Sequence, residues 1–156
     1  VTEISIRAAR WDDWPTIADF NCRLAMESEH KRLDPEKIVP GVQTLLMDAQ
    51  KGRYFVAEDG VGGPLVGQIM HTHEWSDWRN GPIWWLQSVY VTSEFRQRGV
   101  FRALFEHLVQ LAEAEKVLGV RLYVERENAR AHQTYEKLGF ADAGYFVMER
   151  WFGPSL

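Results

Sequence analysis

Three arginines and a glycine stand close together in Arg96-Gln97-Arg98-Gly99-Val100-Phe101-Arg102, just after a run rich in Val and Tyr. From Val100 the residues Val100, Phe101, Leu104, Phe105, Leu108, Leu111 and Ala112 recur at three- and four-residue steps, which predicts a helix with one buried face. The start of such a helix is positively polarised, because its first N–H groups have no intrahelical partner. Gly99 removes the side chain that would keep a ligand's oxygens away from those donors. Arg96, Arg98 and Arg102 add forked donors that suit phosphate. Together these residues describe an anion site on a helix N-terminus. G-x-G-x-x-G and G-K-[ST] are both absent, so the loop is neither a dinucleotide fingerprint nor a Walker A loop.

A second group follows in Asn128-Ala129-Arg130-Ala131-His132-Gln133-Thr134-Tyr135-Glu136-Lys137-Leu138-Gly139-Phe140. Asn128 is a good N-cap and Gly139 a good residue just past a helix end, which predicts one short helix over 129–138. Ala131, Tyr135 and Leu138 share a stripe of that helix, so the phenol faces inward. On the residues alone, Tyr135 is either a core tyrosine or a phenolic acid.

These two stretches carry a resemblance to the GNAT-superfamily N-acetyltransferases, whose donor is acetyl-CoA. The family's Arg/Gln-x-x-Gly-x-Gly/Ala loop is met by Arg96 and Gly99, while its last small position is Phe101 here. Its Asn-x-x-Ala-x-x-x-Tyr-x-x-x-Gly-Phe motif is matched by Asn128, Ala131, Tyr135, Gly139 and Phe140. The resemblance implies that acetyl-CoA is held by Val89, Tyr90, Val91, Arg96, Gln97, Arg98, Gly99, Val100, Phe101, Arg102, Asn128, Ala131 and Tyr135. It also implies that the pantetheine arm pairs with strand Gln87–Val91, that a backbone N–H at Val89 or a neighbour binds the oxyanion, and that Tyr135 protonates the leaving thiolate. Many relatives carry a glutamate where this chain has Gln87, and glutamine cannot be a base. Glu27 and Glu74 therefore become the leading candidates for the general base, ahead of Glu29, His71 and His73.

Elements that position these groups can be read along the chain. Ile4–Ala8 alternates like a strand, and Asp12-Asp13 cap a helix running to about Met26. Residues 27–40 are polar and punctuated by proline, which predicts a flexible stretch with a short helix after Pro40. Arg53–Glu58 and Leu65–Trp75 form a hairpin across Asp59-Gly60-Val61-Gly62-Gly63. A strand from Pro82 to Val91 follows, then the long helix ended by Gly119, a strand Val120–Val124 and a last strand Ala143–Trp151. Hairpins first and alternation afterwards imply an α/β fold of the α+β kind. Its centre is a mixed, mostly antiparallel twisted sheet with helices on both faces.

The 156 residues are read as a single domain, 1–156, of ordinary globular composition with a net charge of −4. That balance disfavours nucleic acid and anionic membranes as partners, and no apolar run reaches membrane-spanning length. The lone Cys22 excludes an internal disulfide and suits a reducing compartment, so the cytoplasm is expected. It shares a stripe with Ala18, Ala25 and Met26 and reads as a buried thiol rather than a nucleophile. No metal is called for. Trp75, Trp78, Trp84 and Trp85 cluster around Ser76–Gly81 and, with Glu74 and Asp77, are expected to wall an acceptor pocket for a cationic amine. The expected activity is acetyl transfer from acetyl-CoA to the primary amine of a small molecule by direct attack in a ternary complex, with homodimer formation left open. Alternatives are acetylation of a protein N-terminus or lysine, and a non-catalytic acyl-CoA sensor.

Overall fold

The computed structural model describes residues 3–154. The chain divides into two compact units, Val1–Leu122 and Tyr123–Leu156. The first unit holds β1 (Ile4–Ala8), α1 (Trp14–Glu29), α2 (Pro35–Met47), β2 (Arg53–Asp59), β3 (Leu65–Ser76), β4 (Gly81–Val91), α3 (Val100–Ala114) and β5 (Gly119–Leu122). The five strands form one open sheet in sequence order. Its first three pairings are antiparallel and only β4–β5 is parallel.

Helices cover both faces of this sheet. Ile17, Ala18 and Val42 of α1 and α2 pack with Tyr54, Val56 and Met70, which share one face by strand alternation. On the other face α3 presses so closely that a Cβ on Gly67 would lie 3.1 Å from Val100 and 3.3 Å from Leu104. Phe55 and His107 meet there with ring centroids 5.2 Å apart. A partly buried ion cluster fastens β1 to the start of α1. Arg7 donates to both carboxylate oxygens of Asp13, at 2.8 and 3.0 Å, and to Glu58 at 2.6 Å.

Four sequence expectations need correction. The predicted flexible stretch over 27–40 is largely helical. Helix α1 continues to Glu29, and α2 begins at Pro35 rather than after Pro40. Asp34 caps α2 by accepting from the Glu36 N–H at 2.9 Å, and Pro35 occupies the first turn, where its missing N–H costs nothing. Pro40 then sits inside the helix, whose apolar side packs Val42 into the core. The α3 helix stops at Ala114, and Gly119 belongs to β5, paired with Ile83. Thr92 leads into a single 3-10 turn over Ser93–Phe95 that the residue pattern does not announce.

The second unit contains α4 (Ala129–Lys137), capped by the Asn128 carboxamide oxygen, which accepts from the Ala131 N–H at 3.1 Å. Gly139 follows at φ +92°, and the Phe140 N–H returns to the Tyr135 carbonyl at 3.0 Å. The predicted strand Ala143–Trp151 is not formed among the described residues, and Phe146, Met148 and Phe152 are exposed. The consecutive run Tyr145-Phe146-Val147-Met148 records compatibility with a pleated surface. A strand also needs a ladder partner, which local pattern does not supply.

Candidate active site

Strand β4 is regular from Gly81 to Gln87 and then breaks its register with β3. Met70 pairs with Gln87 and Gln68 with Tyr90, so Ser88 and Val89 together face Ile69. This is a β-bulge, with Ser88 at φ +50°. On the other side of β4, β5 pairs only with Ile83–Leu86. Beyond Leu86 the outer edge of β4 has no strand partner among the described residues of this unit, so the bulge lies where the sheet opens. An extended ligand arm can hydrogen-bond along such an edge.

The anion loop follows directly. Gln97 and Gly99 both have positive φ, at +60° and +81°, and Gly99 is the N-cap of α3 with no side-chain cap bond. An added Cβ at Gly99 would meet nothing within 4 Å, so the space before the first turn of α3 is open. Phe101, in place of the expected small residue, packs along the helix against Phe105 with centroids 6.0 Å apart. Arg102 is exposed and pairs with Glu106 at 2.8 Å. Arg98 donates to the Glu94 carbonyl at 3.2 Å and lies 4.5 Å over the Phe95 ring. An uncapped helix start, a glycine facing open space and two solvent-facing guanidinium groups fit a pyrophosphate.

Arg96, expected beside the phosphate, makes its contacts at the end of β4. Its Nε donates to the Val91 carbonyl at 2.9 Å, its Nη2 to Glu27 at 3.0 Å, and its guanidinium lies 5.4 Å from the Tyr90 ring centroid. Tyr90 also hydrogen-bonds Glu27 through its hydroxyl. That bond, with the nearby Arg96, holds the Glu27 carboxyl below its ordinary range although partial burial opposes it. Arg96 thus clamps the end of α1 to the end of β4.

The other candidate base lies elsewhere. Glu74 sits opposite Ile83, four residues beyond Met70 and so about 13 Å along the strand from the bulge. One of its oxygens accepts from Trp85 Nε1 at 2.8 Å and the other from Arg121 at 3.0 Å. Gln87 donates to the Thr72 hydroxyl at 2.8 Å. His71 is fully buried, stacked on Trp84 at 3.7 Å, and burial with the neighbouring Arg53 pushes its pKa down to about 3. His73 bonds the Ala49 carbonyl at 3.0 Å. The four tryptophans expected to wall the acceptor lie along the β3–β4 hairpin, Trp75 on β3 and Trp84 and Trp85 on β4. Trp78 occupies the exposed turn of the β3–β4 hairpin, whose β4 end at Gly81 is about 20 Å along the strand from Gln87. Trp84 points into the core, and Cys22 is half-buried rather than buried.

In the second unit, Tyr135 is half-buried, with its ring edge-on to Phe140 at 5.6 Å. Desolvation raises its pKa, so the phenol keeps its proton through the neutral range.

Sequence reasoning missed the polar group beneath the bulge: Asn21, Tyr54, Gln68 and Ser88. Gln68 Nε2 donates to the Ser88 carbonyl at 3.0 Å and to Asn21 Oδ1 at 3.3 Å. Asn21 Nδ2 donates to the Tyr54 hydroxyl at 3.0 Å, which also meets the Ser88 side chain. The available signal was Gln68 and Asn21 at positions whose neighbours are apolar and buried.

A family model described as the acetyltransferase (GNAT) family matches residues 5–140, which spans both units. A possible acetyltransferase from Clostridium difficile 630 is 45% identical, with a TM-score of 0.87 over 97% of this chain and 99% of its own. The [ribosomal protein bS18]-alanine N-acetyltransferase of Salmonella typhimurium is 40% identical over 58 residues, 37% of this chain and 39% of that protein. A predicted acetyltransferase from Clostridium acetobutylicum, solved with acetyl-CoA, shares the fold at a TM-score of 0.79 and 14% identity, covering 95% of this chain and 96% of its own.

Proposed function

Because the chain belongs to the GNAT acetyltransferase family, we propose that it transfers the acetyl group of acetyl-CoA to a primary amine. The observation that carries this reading is the open edge of β4 at its bulge, followed directly by an uncapped α3 N-terminus with free space at Gly99. The α3 first-turn N–H groups, with Arg98 and Arg102, hold the pyrophosphate, and the β4 edge pairs with the pantetheine amides.

The amine nitrogen attacks the thioester carbonyl carbon, and the oxygen gathers negative charge and accepts a hydrogen bond donated by the Val89 N–H. The carbon–sulfur bond then breaks, and the sulfur takes the proton of Tyr135. A thiolate whose conjugate acid has a pKa of about 8.5 takes a proton from a phenol of pKa about 10 only in a desolvated, aligned site. The raised pKa of Tyr135 supports that role by keeping the proton in place beforehand. The attacking amine gives up its proton through water towards Glu27, the carboxylate that the clamp holds beside Tyr90. With Glu74 tied to Trp85 and Arg121 away from the bulge, this reading gives it no proton to carry.

Two acceptor classes remain in the proposal. A small-molecule amine is the first. The α-amine of a protein N-terminus is the second, favoured by the 40% identical relative that acetylates an alanine of a ribosomal protein. A panel of amino acids, polyamines, amino sugars and alanine-initiated peptides, incubated with acetyl-CoA and read by released thiol, decides between them. Turnover with none of these amines, despite acetyl-CoA binding, would favour the acyl-CoA sensor.

A further inference from the structure

The reading of β4 as the donor strand makes one peptide plane decisive, that between Ser88 and Val89. A trans peptide holds its C=O and N–H on opposite sides. The Ser88 carbonyl is taken by Gln68 Nε2, which comes from β3. The Val89 N–H therefore points opposite to that held carbonyl, on a stretch of β4 that β5 no longer pairs. Backbone ladder bonds cannot impose this direction, since the bulge interrupts them there. We infer that Gln68 is a positioning residue for acetyl transfer, its carboxamide holding the Ser88–Val89 peptide so that the Val89 N–H points off the sheet edge at the thioester oxygen.

The burial of Gln68 agrees with this role. It is fully buried in a strand whose neighbours Val66, Ile69 and Met70 belong to the core. A buried carboxamide is costly unless its groups are paired, and an apolar residue of the same shape fills a core without that cost. Gln68 makes both of its contacts through Nε2, while Oε1 has no hydrogen-bond partner. What the site takes from this side chain is the donor. A donor on the Ser88 carbonyl also polarises the peptide, which strengthens the N–H on its far side. Asn21 and Tyr54 complete the arrangement by fixing the Gln68 amide and the Ser88 side chain, at a residue whose φ of +50° needs outside support.

The test uses the intact protein with acetyl-CoA and the fastest amine of the panel. Gln68→Met keeps the volume and removes the donor. It is expected to lower kcat roughly tenfold or more while the acetyl-CoA dissociation constant stays within about twofold. Gln68→Glu adds a readout that a packing role would not move. Its carboxyl donates to the Ser88 carbonyl only when protonated, so relative to wild type its kcat should climb as pH falls. A wild-type kcat in Gln68→Met, or a Gln68→Glu pH profile parallel to wild type, overturns the inference. If Gln68→Met does not fold, the Gln68→Glu profile decides. Absence of an acetyl-CoA thermal shift in the wild type would instead remove the donor-strand reading itself, and this inference with it.

Discussion

Gly99→Asp isolates the electrostatics of the anion loop, because the space beside Gly99 is open and its replacement disturbs no packing. Its φ of +81° charges any side chain a backbone penalty of roughly 1–2 kcal/mol. A carboxylate at a helix N-terminus recovers about 0.3–1 kcal/mol of that, so the protein should still fold. Gly99→Asn carries the same backbone penalty without the charge and serves as the reference. A carboxylate about 5 Å from one phosphate charge, at an effective dielectric near 20, opposes binding by about 3 kcal/mol, a loss of roughly two hundredfold. Acetyl-CoA at about 100 times its dissociation constant stabilises the wild type by about 2.7 kcal/mol. For a chain of 156 residues that is a rise in Tm of roughly 5–10 °C. The same ligand concentration should move Gly99→Asp by less than about 1 °C, while Gly99→Asn keeps most of the shift. A thermal melt followed by fluorescence of the seven tryptophans reads all three proteins. A folded Gly99→Asp protein with the full wild-type shift would refute the anion-loop argument.

Tyr135→Phe should lower kcat by roughly a hundredfold with acetyl-CoA affinity nearly unchanged, whereas a loss of folding stability alone would make it a packing residue. Glu27→Gln should raise the amine KM or lower kcat/KM and alter the pH–rate profile; an unchanged profile would leave the amine to lose its proton to bulk water. Trp78→Ala, at the far hairpin turn, should leave both substrates' kinetics as in wild type. For Asp13, burial raises the pKa, but hydrogen bonds from Arg7 and from the Arg10 N–H outweigh it, and the folded pKa lies below the ordinary value. Its stabilisation is therefore full above the unfolded pKa, near 4, and is lost as pH falls through the lower folded value. Asp13→Asn should flatten that acid limb of the stability curve and cost about 1–3 kcal/mol at neutral pH.

Elements whose signals are local were legible in the residues. The hairpin across Asp59–Gly63, the helix starting at Val100 and the Asn128 cap each depend on turn chemistry or on one buried face. Helix α2 was hidden because Pro40 reads as a breaker, although Asp34-Pro35 just upstream is a good start signal and Val42 secures the helix against the core. The Ser88 bulge was hidden for a deeper reason. Gln87 to Val91 looks like an ordinary strand, and only the register imposed by β3 shows that two residues face one. The same limit applies to side chains. Arg96 and Glu27 are both named by sequence reasoning, as phosphate ligand and base; what the residue pattern does not show is that they bind each other beside Tyr90, because α1 ends next to β4.

Direct transfer within a ternary complex is the central claim, and initial-rate kinetics with acetyl-CoA and the identified amine varied together test it most directly. The account predicts double-reciprocal lines that intersect, unchanged in pattern by Cys22→Ala, with the acetylated amine formed in step with released thiol. Parallel lines, or an acetylated enzyme trapped before the amine is added, would contradict it.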